Sequence, residues 1–219
     1  MAKVKSQHRN DIETRYLKSG LTVRVVVDDG GTDCPLDHYD SHVRLVTFER
    51  HGYVNDSGVK RREKSPFSEP EEVRTWAADN GFHCYPVFKY EHVNVAYSTA
   101  PFYCPWDSGQ AGYLLLSLDE WPAMDDKADS YAKTALESYS AWCNGEVYGW
   151  IVEDEDGENL ESCWGYIGES DYVLEEGLSM AAHIEKARNR DRLDKLKNMI
   201  RNRVPLLKRP AMLESVVYG

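Results

Sequence analysis

The sequence predicts an α+β protein with a largely antiparallel sheet, and three observations predict it. Short runs rich in β-branched and aromatic residues follow one another between turn signals. One well-patterned helix, about 127–143, stands among them. A second, longer helical stretch closes the chain. Strands in succession, without strict alternation with helices, define this class. With 219 residues, the chain is long enough to bury roughly 70% of its unfolded surface. The expected organisation is an α+β core domain over 1–168 and a basic helical extension over 169–219, with no internal repeat.

The elements read in order as follows. "LTVRVVVD" (21–28) and "VRLVTFE" (43–49) alternate as strands do, across a loop rich in Gly, Asp and Pro. In "SPFSEPEEVRTWAADNG" Ser68 is the expected N-cap, Glu71 completes a capping box and Gly81 is the stop. "HCYPVFKYEHVNVAYS" reads as two strands around a turn near Glu91, Pro86 demoting the first to a sheet edge. "YLLLSL" is an apolar run of strand length.

The helix over 127–143 places Ala128, Tyr131, Ala132, Ala135, Leu136, Tyr139, Trp142 and Cys143 on one stripe, with Gly145 as its stop. "EVYGWIVEDEDGENLESCWGYIG" reads as a hairpin turning at "DEDG". From Asp171 to about Val204 the pattern is one long helix or two, interrupted at Gly177 and stopped by Pro205, with Leu193, Leu196, Ile200 and Val204 facing inward.

Charge is divided unevenly. His183 to Arg209 carries ten Lys or Arg against three Asp or Glu; with Glu214 adding one more negative charge, the net −11 leaves −17 for residues 1–182. Such asymmetry suggests separate interaction surfaces. The acids are densest between Asp119 and Glu161, where thirteen face two lysines. No stretch approaches the length of a membrane span, and "MAKVKSQHRNDIETR" lacks the apolar centre of a signal peptide, so a cytoplasmic protein without membrane contact is expected. Five cysteines at irregular spacing, with no CxxC, read as reduced thiols; a zinc site would need distant pieces such as His83, Cys84, Cys104 and Cys163.

"STAPFYCPWDSGQAGYLLLS" (98–117) and "YSAWCNGEVYGWIVEDEDGENLESCWGYIG" (139–168) together resemble an uncharacterised family of proteins encoded by bacteriophages and mobile elements, in which a CPWDSGQxG loop precedes a strand and a GxVYG…SCWG hairpin follows. "RLVTFERHGYVND" is similar only loosely to that family's histidine-arginine-arginine-tyrosine stretch, and the basic C-terminal helix lies outside the resemblance. The resemblance implies a phage source, hence the cytoplasm of a host cell, and no activity.

"CPWDSGQAG" (104–112) admits two readings. In one, Cys104 is a nucleophile with a histidine (His51, His83 or His92) and Asp107 as partners, although Pro105 withholds the N–H best placed for an oxyanion. "DSGQAG" is not a nucleophile elbow, because Trp106 stands where GxSxG needs glycine. In the other, the loop is a structural hinge: Cys104 and Trp106 pack downward, Asp107 and Ser108 tie the backbone, Gly109 is left-handed, and Gly112 admits the neighbouring "CWG" segment.

"EDEDGE" fails the EF-hand spacing, since position one falls on Val152, although Asp154 and Asp156 are a conceivable Mg²⁺ pair. No P-loop, GxGxxG or HExxH is present. No cofactor or metal is expected.

Two classes of function follow. The first is a phage-encoded inhibitor that binds a host protein, with an acidic surface imitating DNA. Its contact residues are Asp119, Glu120, Asp125, Asp126 and Asp129, with Trp106, Trp121 and Tyr148 as aromatic candidates. The second is a small cysteine-dependent hydrolase or metal-dependent nuclease. The basic terminal helix is a candidate for nucleic acid, set against a solvated face in which Asp191 and Lys195, four apart, pair with each other.

Overall fold

The computed structural model describes residues 10–36, 42–48, 67, 69–205, 208, 210 and 212. Its elements are β1 (Asp11–Tyr16), β2 (Thr22–Val27), β3 (Val43–Thr47), α1 (Pro70–Asp79), β4 (Phe82–Glu91), β5 (Val95–Ser98), β6 (Ser108–Ser117), α2 (Asp126–Cys143), β7 (Val147–Glu153), β8 (Asn159–Ile167) and α3 (Ser170–Arg203). They form two four-stranded sheets, ordered β1-β2-β7-β8 and β3-β6-β4-β5. The α+β class is the one the sequence predicts. The chain divides into two compact units, one made of Met1–Val27, Tyr148–Trp164 and Glu169–Gly219, the other of Asp28–Val147 and Gly165–Gly168. The chain crosses between the units at 27/28, 147/148, 164/165 and 168/169.

In the second unit, β6 explains why "YLLLS" is apolar throughout: the strand is buried on both faces. Leu114 and Leu116 join Val43, Leu45, Ala132 and Leu136 in a cluster with α2, while Tyr113 and Leu115 join Val46, Val73 and Ala77 in a cluster with α1. Asp125 caps α2, its carboxylate accepting from the N–H groups of Lys127 and Ala128 at 3.0 Å.

The cap of α1 is one residue later than expected. Glu69 is the N-cap, its N–H donating to the Glu72 carboxylate at 3.3 Å, and Pro70 opens the helix; Ser68 lies outside the described residues. The expectation that Pro86 makes β4 an edge is corrected in part. β4 lies between β6 and β5, but β5 reaches only as far as Phe88, so at Pro86 the strand has a partner on the β6 side alone. A missing N–H is tolerated where one side of the strand is open.

The outer rim of β5 is closed by side chains of α2. Asn144 Oδ1 accepts from Val95 N–H at 2.8 Å and its Nδ2 donates to Val95 O at 2.9 Å, while Ser140 Oγ accepts from Tyr97 N–H at 2.8 Å. An amide side chain thus stands where a further strand would pair, which blunts an edge otherwise open to aggregation.

In the first unit, β2 runs antiparallel to both β1 and β7. Arg24 ties the three strands: its guanidinium donates to Asp11 Oδ1 and to Glu153 Oε1, each at 2.6 Å, with all three side chains largely buried. Of the two readings left open for this stretch, one helix or two, α3 is the single unbroken helix, and Gly177 does not interrupt it. That glycine is buried against the sheet, where an added Cβ would come within 2.7 Å of Val23 Cγ1 and 3.1 Å of Trp150 Cβ, so it sets a close helix–sheet approach. Val173, Leu174 and Ala181 are buried with it. Beyond Ala181 the only buried position of the helix is Ile200; Leu193, expected to face inward, is exposed. No helix among the described residues is long and apolar enough to cross a membrane.

Candidate functional site

The CPWDSG stretch forms the end of the connection from β5 to β6, and its last residues already belong to β6. Its backbone is held from several directions. Ser108 Oγ donates to Cys104 O at 2.5 Å, Glu91 N–H donates to Asp107 O at 2.9 Å, and the Phe102 ring lies 5.8 Å from that of Tyr90. The part of the hinge reading that rests on Ser108 therefore stands.

Three of its other parts are corrected. Trp106 does not pack downward: it is 92% exposed, because the loop's ties run through its backbone and polar side chains, which leaves the indole outside. Gly109 lies within β6 and is not one of the left-handed glycines. Gly112 meets β3 rather than the "CWG" segment, since a Cβ there would collide with the Val46 carbonyl oxygen and lie 2.8 Å from Thr47 Cα. Gly149 is the glycine that faces that segment, under the Trp164 ring and 2.8 Å from Cys163 O.

Cys104 does gather a carboxylate and an imidazole, in an order that does not suit a nucleophile. Its Sγ donates to Asp107 Oδ2 at 3.5 Å, and His92 Nδ1 lies 3.9 Å from that same oxygen on a largely exposed ring. Reactive thiolates are held by cations or an imidazolium, and the group beside this sulfur is a carboxylate. His83 is engaged elsewhere, its Nε2 lying 2.9 Å from Trp121 O; His51 is outside the described residues. The Cys84 thiol is pushed up to about 11 by burial, with Arg74 opposing the shift. Among the described residues no group of three or more His, Cys, Asp or Glu is arranged to hold a metal ion, so His83, Cys84, Cys104 and Cys163 do not assemble into a zinc site.

Asp154, on the β7–β8 turn, is committed to that turn. Its Oδ1 accepts from the N–H groups of Asp156 and Glu158, each at 3.0 Å. These bonds, that from Glu158 foremost, hold its carboxyl below the usual range. The acid needed for a two-carboxylate Mg²⁺ pair is thus serving as a turn former.

The five acids singled out on the β6–α2 connection and the first turn of α2 are all exposed. They differ in what else they do. Asp125 caps α2 and its carboxyl is lowered, chiefly by the Ala128 N–H. Asp129 accepts from the buried Tyr85 hydroxyl at 2.9 Å. Glu120 lies 4.0 Å from His42 Nε2. The side chains of Asp119 and Asp126 make no hydrogen bond or ion pair among the described residues, and Lys127 is the one cation of the stretch.

Of the three aromatic candidates only Trp106 stands free in solvent. Trp121 is half-buried, its ring 4.5 Å from that of Tyr131, and Tyr148 is half-buried on β7 opposite Val27. Sequence reasoning missed Tyr103, fully exposed three residues before Trp106, and Val93, 88% exposed on the β4–β5 turn that the Glu91–Asp107 bond joins to this loop. The available signal was the placement of bulky apolar residues at turn positions, where no strand or helix face can bury them.

No family model, curated protein or solved structure matches the chain.

Proposed function

We propose that the protein acts by contact rather than by catalysis: a phage-encoded inhibitor that occupies a host protein, its acidic β6–α2 connection standing in for the phosphates that a DNA-facing surface expects. The observation that carries this reading is the exposure of Asp119, Glu120, Asp125, Asp126 and Asp129 within eleven residues that hold a single lysine. Charge of one sign on an exposed rim raises the association rate with a basic partner and is screened by salt. The arrangement around Cys104 and Asp154 supports the same choice, since each is engaged in a way that serves its loop.

The test is affinity capture of the partner from host lysate, followed by binding rates between about 50 and about 500 mM salt. Reversing Asp119, Glu120 and Asp126 to Lys spares the helix cap and the Tyr85 bond; it should slow association and leave stability nearly unchanged. Salt-indifferent binding that survives these reversals would sink the DNA-mimic reading. A second contact surface is favoured by the exposure of Val93, Tyr103 and Trp106 on a tied loop, because rigid aromatic anchors lose little entropy on binding. Trp106→Ala distinguishes it, by raising the dissociation rate at every salt concentration.

A further inference from the structure

From the distal half of α3 we infer a second binding surface, whose ligand is double-stranded DNA. Between Ala182 and Arg203 the helix carries Lys186, Arg188, Arg190, Arg192, Lys195, Lys197, Arg201 and Arg203 against Glu185, Asp191 and Asp194. A solvated surface helix normally neutralises such cations with acids three or four residues away. Here the expected Asp191–Lys195 pair is not formed, and the only ion pair within this stretch among the described residues is Lys197–Asp194 at 3.7 Å. Arg188 feels Asp154; Lys186, Arg190, Arg192 and Lys195 are exposed with no acidic partner among the described residues.

Their placement is ordered. At about 100° per residue, Ala182, Asn189 and Leu193 fall on one strip. Lys186 and Arg190 lie to one side of it, with Asp194 beyond them; Glu185, Arg192, Arg188 and Lys195 lie to the other in that order outward, and Asp191 is at the back. Lys186, Arg190 and Lys197, together with Glu185 and Asp194, line one open depression along this face of the helix. A neutral strip with cations on both sides, five of them against Glu185, Asp191 and Asp194, matches a helix ~10–12 Å across seated in a major groove ~12 Å wide, the cations reaching the phosphates on either wall. The A-form groove of duplex RNA is too narrow for it. An anionic bilayer is the poorer fit, because Leu193 is the one large apolar side chain exposed along the strip, Leu196 being half-buried and Ile200 buried, which leaves little to insert.

The experiment uses the whole chain and a fluorescein-labelled mixed-sequence duplex of about 20 base pairs, read by anisotropy across a salt series. We expect binding whose logarithm falls with log salt at a slope of about −4, corresponding to four or five phosphate contacts. The variant K186Q/R188Q/R190Q/R192Q/K195Q keeps good helix formers at exposed positions; unchanged circular dichroism with at least a tenfold loss of affinity at low salt supports the assignment. Equal affinity in variant and wild type overturns it. So does equal affinity for an RNA duplex of the same sequence, or capture by phosphatidylcholine–phosphatidylserine vesicles without capture of DNA.

Discussion

Arg24 shows how much one side chain decides in a strand that the sequence presents as simply hydrophobic. It sits in "TVRVVV", yet its guanidinium holds Asp11 and Glu153 across two strand pairings. Removing it strands two largely buried carboxylates, so Arg24→Met should cost about 3–5 kcal/mol in urea unfolding. Replacing all three groups by apolar side chains should recover most of that loss. Cys84 and Tyr85 act at high pH, beside Tyr139, whose hydroxyl burial also pushes up. Cys84 is pushed up to about 11 by burial, and Tyr85 up to about 12 by burial and then by its bond to Asp129. In both, the folded state keeps its proton to higher pH than the unfolded chain does. Their contribution is therefore complete below pH ~9, and it drains away as the pH climbs through about 11 for Cys84 and about 12 for Tyr85. Denaturation titrated by pH should show stability falling from about pH 9 upward, Cys84→Ala flattening the lower part of the fall and Tyr85→Phe the upper.

Among the elements, those with a strong period were legible and those defined by their neighbours were not. The stripe from Ala128 to Tyr139 and the hairpin turning at Gly157 could be read because a helix burying one face, or a tight turn with a left-handed glycine, leaves its mark in local sequence. β1 could not: "DIETRY" is charged at alternate positions and owes its place to pairing with β2 and to Arg24. Likewise, nothing near Val95 announces that Asn144 and Ser140 close its edge, since those partners lie more than forty residues on. Ser140→Ala with Asn144→Ala should lower stability by about 2–4 kcal/mol and promote concentration-dependent aggregation, followed by light scattering. The aromatic part of the candidate site was half legible: loop position pointed to Trp106, but only the tied backbone shows that its ring points outward. For α3, the burial pattern places sheet packing between Val173 and Ala181. A chain ending after Ala182 should unfold cooperatively at nearly the wild-type urea midpoint. One ending after Gly168 should lose the cooperative transition of its first unit.

At the scale of the whole molecule, the acid-dense span from Asp119 to Glu161 is shared between the two units, so charge alone does not define one surface. The division also fixes an order of events that the finished fold conceals. The chain leaves the first unit at Val27 and returns at Tyr148, and at that crossing Asp28 N–H donates to Val147 O at 2.8 Å. β2 must therefore wait for β7, its partner from Thr22↔Glu153 to Val27↔Tyr148, while everything from Asp28 to Val147 is synthesised. At ~5–20 residues per second that delay is roughly 6 to 25 s, long enough for the inserted unit to reach its native packing first. During it, Val23 and Val25 have β1 alone to pair with and depend on the ribosome's surroundings for protection. Chains stalled on the ribosome with residue 150 just released should already resist protease between Glu69 and Val147 but not between Asn10 and Val27. Yield should rise on slow expression in the cold, when a strand waiting for its partner meets fewer strands of its own kind.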